Sequence, residues 1–297
     1  MSILSSASRS WTLRGATLLA LALIGGEVQA GELTGTLKRI RDTGFITIGH
    51  RETSPPFSFL DTNRQPMGYA IDLCLKVVDE VRTVVERPDV AVRYALVTPQ
   101  TRISMVVEGN VDLECGSTTN TLARQQQVDF SAIYFTTGTR LLTWKADNIN
   151  EIETLTGRSI GVISGSTNEK AVRTAIDDGR ARGARLVPIK DYAEGIGSLE
   201  TKKIDAFATD DVVLFGLLAK SERKQDLEVV GRYLSYDPYG IMLRRDDPDF
   251  RLVVNKALAR VFRSGEIAKL YAKWFDPISV PASPLLKAGF ALQAIPE

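Results

Sequence analysis

Short β-branched runs alternate with amphipathic helical stretches along most of this chain. That alternation restricts it to a layered α/β fold on mostly parallel sheets. The first unit reads as a strand at residues 45–49 and a helix from about Tyr69, on which Ile71, Cys74, Leu75, Val78, Val81 and Val85 recur three or four residues apart. A strand at 90–97, a short helix at 101–108, a strand at 111–114 and a strand within 128–135 follow. Beyond Gly157 the grammar repeats, with strand 159–163, a helix from about Asn168, strand 186–189, helix 192–201, strand 204–208 and helix 212–219. A strand at 228–230 and helices at 249–264 and 265–275 complete the pattern. Each unit spans on the order of a hundred residues, an ordinary domain size. Two strand-like connectors, 138–144 and 233–243, lie between the units, so the second unit is expected to be inserted into the first. The tail after Pro277, rich in proline, is expected to be extended over the surface.

Ligands of such sheets bind outside the carboxyl ends of the strands. The loop Glu114-Cys115-Gly116-Ser117-Thr118-Thr119-Asn120 is the most informative one there. It reads as a strand end, a tight turn at Gly116 and a helix over 120–128 capped by Ser117, Thr118 or Thr119. Such a helix start offers free N–H groups, hydroxyls and the Arg124 guanidinium to a small anion. The plainer alternative is a capped helix with a solvated arginine.

Composition narrows the function. With 44% hydrophobic and 25% charged residues the chain is globular. Arg9 and Arg14 precede an apolar run at 16–24, and Val28-Gln29-Ala30 supplies small residues for cleavage, so residues 1–30 are expected to be a secretory signal. The run stops at Gly25, Gly26 and Glu27, short of the ~20 residues needed to span a bilayer. Lys and Arg number 37 against 36 Asp and Glu, and no basic stripe or second apolar run is present. Nucleic acid is therefore not expected as a partner, nor is membrane passage, and a small ligand is. Two cysteines in an exported chain can pair. Cys74 on the apolar helix face and Cys115 at a strand end are expected to form a disulfide, two buried free thiols being the alternative.

His50 is the single histidine. It stands at a strand end with no nucleophile in local reach and reads as structural. No metal-ligand spacing occurs, and residues 161–167 lack the lysine of a phosphate loop. Neither a metal, a cofactor nor a catalytic residue is expected. Asp210 and Asp211 allow acid–base work, or simply cap a helix. Arg51, Arg102 and Arg124 each follow a strand or open a helix, where the dipole disfavours a cation. With Asp210 they make three cations and one anion, the complement of an amino acid with two carboxylates and one ammonium.

Four segments carry a family resemblance: Gly49-His50-Arg51-Glu52-Thr53-Ser54-Pro55-Pro56-Phe57-Ser58, the 114–120 loop, Gly138-Thr139-Arg140-Leu141-Leu142-Thr143 and Tyr239-Gly240-Ile241-Met242-Leu243-Arg244. Over residues 37–275 the chain resembles the periplasmic glutamate/aspartate-binding proteins of ABC importers, within the solute-binding proteins of family 3. The resemblance implies a type II periplasmic binding protein fold, α/β, with two lobes, two hinge strands and the ligand in the interlobe cleft. Lobe 1 would comprise 31–139 and 237–276, the inserted lobe 2 would comprise 140–236, and 277–297 would be the extended tail. It further implies that Arg124 pairs with the α-carboxylate. Ser117 and Thr119 would bond the α-amino and α-carboxylate groups, Ser166 and Thr167 would add donors from lobe 2, and Asp210 would take the ammonium. Arg51 and Arg102 would hold the distal carboxylate. The implied partners are L-glutamate or L-aspartate and an ABC permease, and the implied state is a periplasmic monomer. Two positions depart from the family pattern: Pro99 replaces an expected serine, and Tyr192, at the ligand, replaces an expected histidine. The order of glutamate and aspartate stays open, as do glutamine or asparagine as ligand. A dehydratase-like enzyme on the same fold, with Glu52 or Asp211 as acid, is the competing class.

Overall fold

The strand and helix alternation builds two five-stranded sheets in a computed structural model that describes residues 32–296; the expected leader at 1–30 lies outside the described residues. In the first sheet, Phe45–His50 pairs in parallel with Ala91–Leu96 on one side and Leu113–Glu114 on the other. Asp237–Arg244 and Val128–Thr137 continue it as an antiparallel pair. In the second, Ser159–Ile163 lies in parallel between Arg185–Ile189 and Ala206–Asp210. Thr139–Trp144 and Leu227–Val230 follow in antiparallel order. Both sheets are thus parallel at their centres and antiparallel where the chain crosses between lobes. A small ribbon of Thr53–Ser54, Ser58–Leu60 and Pro66–Met67 was not anticipated, since such short strands leave no periodicity to read.

Both crossings are strand pairs. Val128–Thr137 runs through Gly138 into Thr139–Trp144, and the chain returns from Leu227–Val230 to Asp237–Arg244 alongside it. Leu234 N donates to the Thr139 carbonyl at 3.0 Å, and Thr139 N donates to Ser235 Oγ at 3.0 Å. Gly138 is required here: a Cβ would lie 2.2 Å from the Ser235 carbonyl oxygen.

Helix Tyr69–Val84 buries Ile71, Cys74, Val78 and Val81 as expected, together with Leu73 and Val77, while the expected Leu75 is exposed, and it packs on helix Pro248–Arg263. Phe57, Tyr69, Phe135, Tyr239 and Phe275 interlock beneath the cleft, mostly edge to face. Each such buried ring is worth roughly 1.5–3 kcal/mol. Cys74 and Cys115 are disulfide-bonded and tie this helix to the loop after Leu113–Glu114.

Two expectations are corrected. The helix expected at 120–128 is confined to Leu122–Gln125, and its cap is Thr121, whose side chain accepts from Arg124 N. Thr119 bridges to Tyr239 and Asn120 N donates to the Pro238 carbonyl, so the return strand holds the chain extended past the point where a helix would start. The tail is not extended: Pro284–Leu292 is a helix capped by Ser283. Pro284 occupies the first turn, where proline favours a helix. Leu286 is buried, Phe290 stacks on Phe262, and the Gln293 amide pairs with both Ile133 N and Ile133 O on the edge of Val128–Thr137.

Candidate functional site

Loops at the carboxyl ends of both sheets meet around a small cavity. Arg51 follows Phe45–His50, Arg102 opens helix Arg102–Val107, and Ser117 and Thr119 come from the turn after Leu113–Glu114. From the second sheet, Ser166 caps helix Thr167–Asp177, Tyr192 opens Tyr192–Glu200, and Asp210 ends Ala206–Asp210. All of these, with Thr167, line the cavity, joined by Pro99, Ile163 and Asn168. Arg124 stands one layer back, its Nη1 donating to the Thr119 carbonyl at 2.8 Å.

The cavity holds about 10 Å³ of free space, room for about one water. Contacts across it keep it closed. Ser117 Oγ lies 3.3 Å from the Tyr192 hydroxyl, Thr119 Oγ1 lies 3.3 Å from Thr167 Oγ1, and Gln100 Nε2 donates to the Ser164 carbonyl at 3.1 Å. A ligand of amino-acid size enters only when the lobes part.

The charges are buried. The Arg51 guanidinium packs 5.5 Å over the Tyr192 ring, and its Nη1 has no hydrogen-bond partner. Burial lowers its pKa; Tyr192 opposes that shift and Arg102 adds to it. Arg102 Nη1 donates to Thr118 Oγ1 at 2.6 Å, while its Nε has no partner. Burial, and then the charge of Arg102, push Arg124 down to about 10. Asp210 accepts from Asn168 Nδ2 at 3.0 Å and from the Tyr239 hydroxyl at 2.5 Å. Burial, with the repulsion of Asp237 second, raises it to about 7.

Sequence reasoning missed Glu114 and Asp237, which are fully enclosed in the same cluster. Glu114 accepts from Thr118 Oγ1 at 2.6 Å, and Asp237 accepts from Thr119 Oγ1 at 2.9 Å. Glu114 stands inside the quoted loop and Asp237 on the return connector; a carboxylate at a strand end beside three arginines was the available signal. The row of free N–H groups expected from a helix over 120–128 is absent from the described residues, because that helix is one turn long and begins after Thr121.

Neither candidate acid faces the cavity. Glu52 is paired with Arg64 on the surface at 3.1 Å. Asp211 accepts from the Thr137 hydroxyl and the Tyr233 hydroxyl, both at 2.6 Å, and so braces the crossing strands. His50 is buried, with Nδ1 3.1 Å from the Arg51 carbonyl and its ring edge-on to Tyr94, as a structural residue would be.

Residues 46–277 match the family of bacterial extracellular solute-binding proteins, family 3. The chain is 45% identical to the L-glutamate/L-aspartate-binding protein of Pseudomonas aeruginosa, covering 87% of this chain and 86% of that one. It is 38% identical to the glutamate/aspartate import solute-binding protein of Escherichia coli K12, over 88% of each. Among solved structures it is similar to an ancestral amino-acid-binding protein described as a precursor of cyclohexadienyl dehydratase, with 29% identity and a TM-score of 0.69 over 81% of this chain and all of that one.

Proposed function

The chain belongs to the bacterial extracellular solute-binding proteins, family 3, and from that premise we propose that it captures L-glutamate or L-aspartate in the periplasm and delivers it to an ABC permease. The relatives named for glutamate and aspartate support this ligand class. The observation that carries the reading is the set of Arg51, Arg102 and Arg124, buried together around one cleft, with Arg51 Nη1 and Arg102 Nε unpartnered. Buried donors without acceptors are costly, about 1–3 kcal/mol each and more when charged, and a bound carboxylate satisfies them.

In this reading lobe 1, at 31–139 and 237–276, presents the arginines, and lobe 2, at 140–236, closes over the ligand. Arg51 and Arg102 take the distal carboxylate, and Arg124 faces the α-carboxylate side, reaching it directly or through Thr119. Asp210 takes the ammonium, and the Ser117, Thr119, Ser166, Thr167 and Tyr192 hydroxyls or amides complete the shell. Tyr192 caps Arg51 as well, which shortens the distal pocket. The protein acts as a binder rather than an enzyme: Glu52 and Asp211, the acids a dehydratase-like reaction would call on, are engaged elsewhere. A monomer suffices, since both faces of the cleft come from one chain.

The test is calorimetric titration of refolded, ligand-stripped protein with L-glutamate, L-aspartate, L-glutamine and L-asparagine. Micromolar or tighter binding of the acidic pair alone is expected, on the order of −8 kcal/mol. Binding of the amides alone, or of none, would refute the reading.

A further inference from the structure

None of the three cleft arginines forms an ion pair with a carboxylate among the described residues, although Glu114, Asp210 and Asp237 are buried in the same cluster. In two cases a threonine stands between. Arg102 Nη1 donates to Thr118 Oγ1 at 2.6 Å, and that hydroxyl donates onward to Glu114 Oε2 at 2.6 Å. Arg124 Nη1 donates to the Thr119 carbonyl, whose residue donates through its hydroxyl to Asp237.

The distinction matters for a binding site. A guanidinium in a two-pronged pair with a carboxylate has spent its charge and its geometry on that partner. One held through a hydroxyl is oriented, while its charge and remaining N–H groups stay available. Arg102 and Glu114 share the Thr118 hydroxyl yet are not joined, and Arg102 Nε and Glu114 Oε1 are both buried without a partner. The relay is held firmly: Thr118 is fully buried, and its carbonyl accepts from Gly240 N on the return strand at 3.3 Å. Gly116 leaves the space for it, because a Cβ there would lie 2.5 Å from Glu114 Oε1 and 3.1 Å from Arg51 Cγ.

We propose that Thr118 is a positioning residue of the acidic-ligand site: its hydroxyl aims Arg102 at the cleft and keeps it from collapsing into a direct ion pair with Glu114. This rests on the reading of the cleft given above. Glu114 is then the competitor that an incoming distal carboxylate must outmatch, and Thr118 keeps that competitor at one remove. Thr118→Val removes the hydroxyl at nearly constant shape, so Arg102 and Glu114 lose the hydrogen bonds that orient them and are free to turn toward each other past the inert methyl. Thr118→Ser keeps the relay. Glu114→Gln keeps an acceptor for the hydroxyl but removes the competing charge.

The experiment is titration of L-glutamate into wild type, Thr118→Ser, Thr118→Val, Glu114→Gln and the Thr118→Val/Glu114→Gln double variant, with unliganded melting recorded for each. Thr118→Val is expected to bind at least about tenfold more weakly, the size typical of disturbing a buried charged contact, and Thr118→Ser to stay within about threefold of wild type. The double variant should recover part of the loss, and Glu114→Gln should bind at least as tightly as wild type. The proposal is overturned if Thr118→Val matches wild type, or if the double variant binds no better than Thr118→Val. Should Thr118→Val fail to fold, a tenfold loss in Glu114→Gln overturns it alone. Wild type that binds no acidic amino acid removes the functional reading and the relay together, whereas tight wild-type binding with an unaffected Thr118→Val removes only the relay.

Discussion

The cleft face built on the first sheet carries Arg51 and Arg102, with Arg124 behind them, whereas the face built on the second carries the hydroxyls of Ser166, Thr167 and Tyr192 and the single carboxylate of Asp210. Each face is complementary to a different end of the proposed ligand. A dicarboxylate can dock on the arginine face of the open protein, where electrostatic attraction acts at a distance. In the proposed reading Asp210 reaches the ammonium only as the lobes close. The unequal faces thus separate capture from closure, and they suggest an order: first anion recognition, then a lid that checks for an amino group.

The sharpest way to break this comparison is to remove a cation from the first face. Arg51→Ala or Arg102→Ala should weaken glutamate binding by more than about tenfold, since truncating one member of a buried charged contact costs about 2–5 kcal/mol. Glutamine affinity, if measurable, should change less, and calorimetry with both ligands reads the difference. Unchanged glutamate affinity in both variants would remove the assignment of the distal carboxylate.

Next in size is a change to the hinge rather than to either face. Gly138→Ala drives a Cβ into the Ser235 carbonyl, and overpacking of this kind costs about 1–3 kcal/mol. Melting should fall, and binding of every ligand should weaken by a similar factor, because the crossing serves both faces. A ligand-selective loss would place Gly138 in recognition instead.

The second face is probed by pH. Burial raises Asp210 to about 7, and the ammonium needs it ionised, so binding below that pH must expel a proton. Affinity should be level above about pH 7 and fall with acidity, by up to about tenfold per unit. In the unliganded protein the sign for stability is opposite. The folded state binds the proton more tightly than the unfolded chain, so this group's contribution is greatest at acid pH and declines as pH rises from about 4 toward 7. Asp210→Asn should flatten the binding profile and weaken binding throughout. A steep profile surviving in that variant would shift the titration to another group.

The smallest effect tests the enzyme alternative. Glu52→Gln disturbs only an exposed pair with Arg64, a contact worth about 0–1 kcal/mol. Glutamate affinity and melting should both stay at wild-type values. A selective change in turnover of any cyclic acid substrate would reopen the catalytic reading.

Much of this was legible without coordinates. Helix Tyr69–Val84 follows from apolar residues three and four apart, and the pairing of Cys74 with Cys115 follows from the helix face and strand end that carry them. The inserted second unit follows from two strand-like connectors. Arg51, Arg102 and Asp210 stand out by their places at strand ends and helix starts, while Ser117, Thr119, Ser166, Thr167 and Tyr192 came with the family resemblance; all eight line the cavity. These are short-range signals, in which side chains a few positions apart share a face or a cap.

The rest depended on contacts that no local pattern encodes. Thr119 meets Asp237 across 118 residues and Tyr239 meets Asp210 across 29, both because the chain crosses twice between the lobes. The return strand holds Asn120 extended and thereby erases most of the expected helix, and Gln293 finds the free edge of Val128–Thr137 and turns the proline-marked tail into a packed helix. Sequence by itself determined which residue types stand at the strand ends and hence what the cleft can recognise. Only the tertiary structure decided which buried charges face one another and which are held apart by a hydroxyl, because burial and distance set the strength of an electrostatic contact and neither is a property of neighbours along the chain.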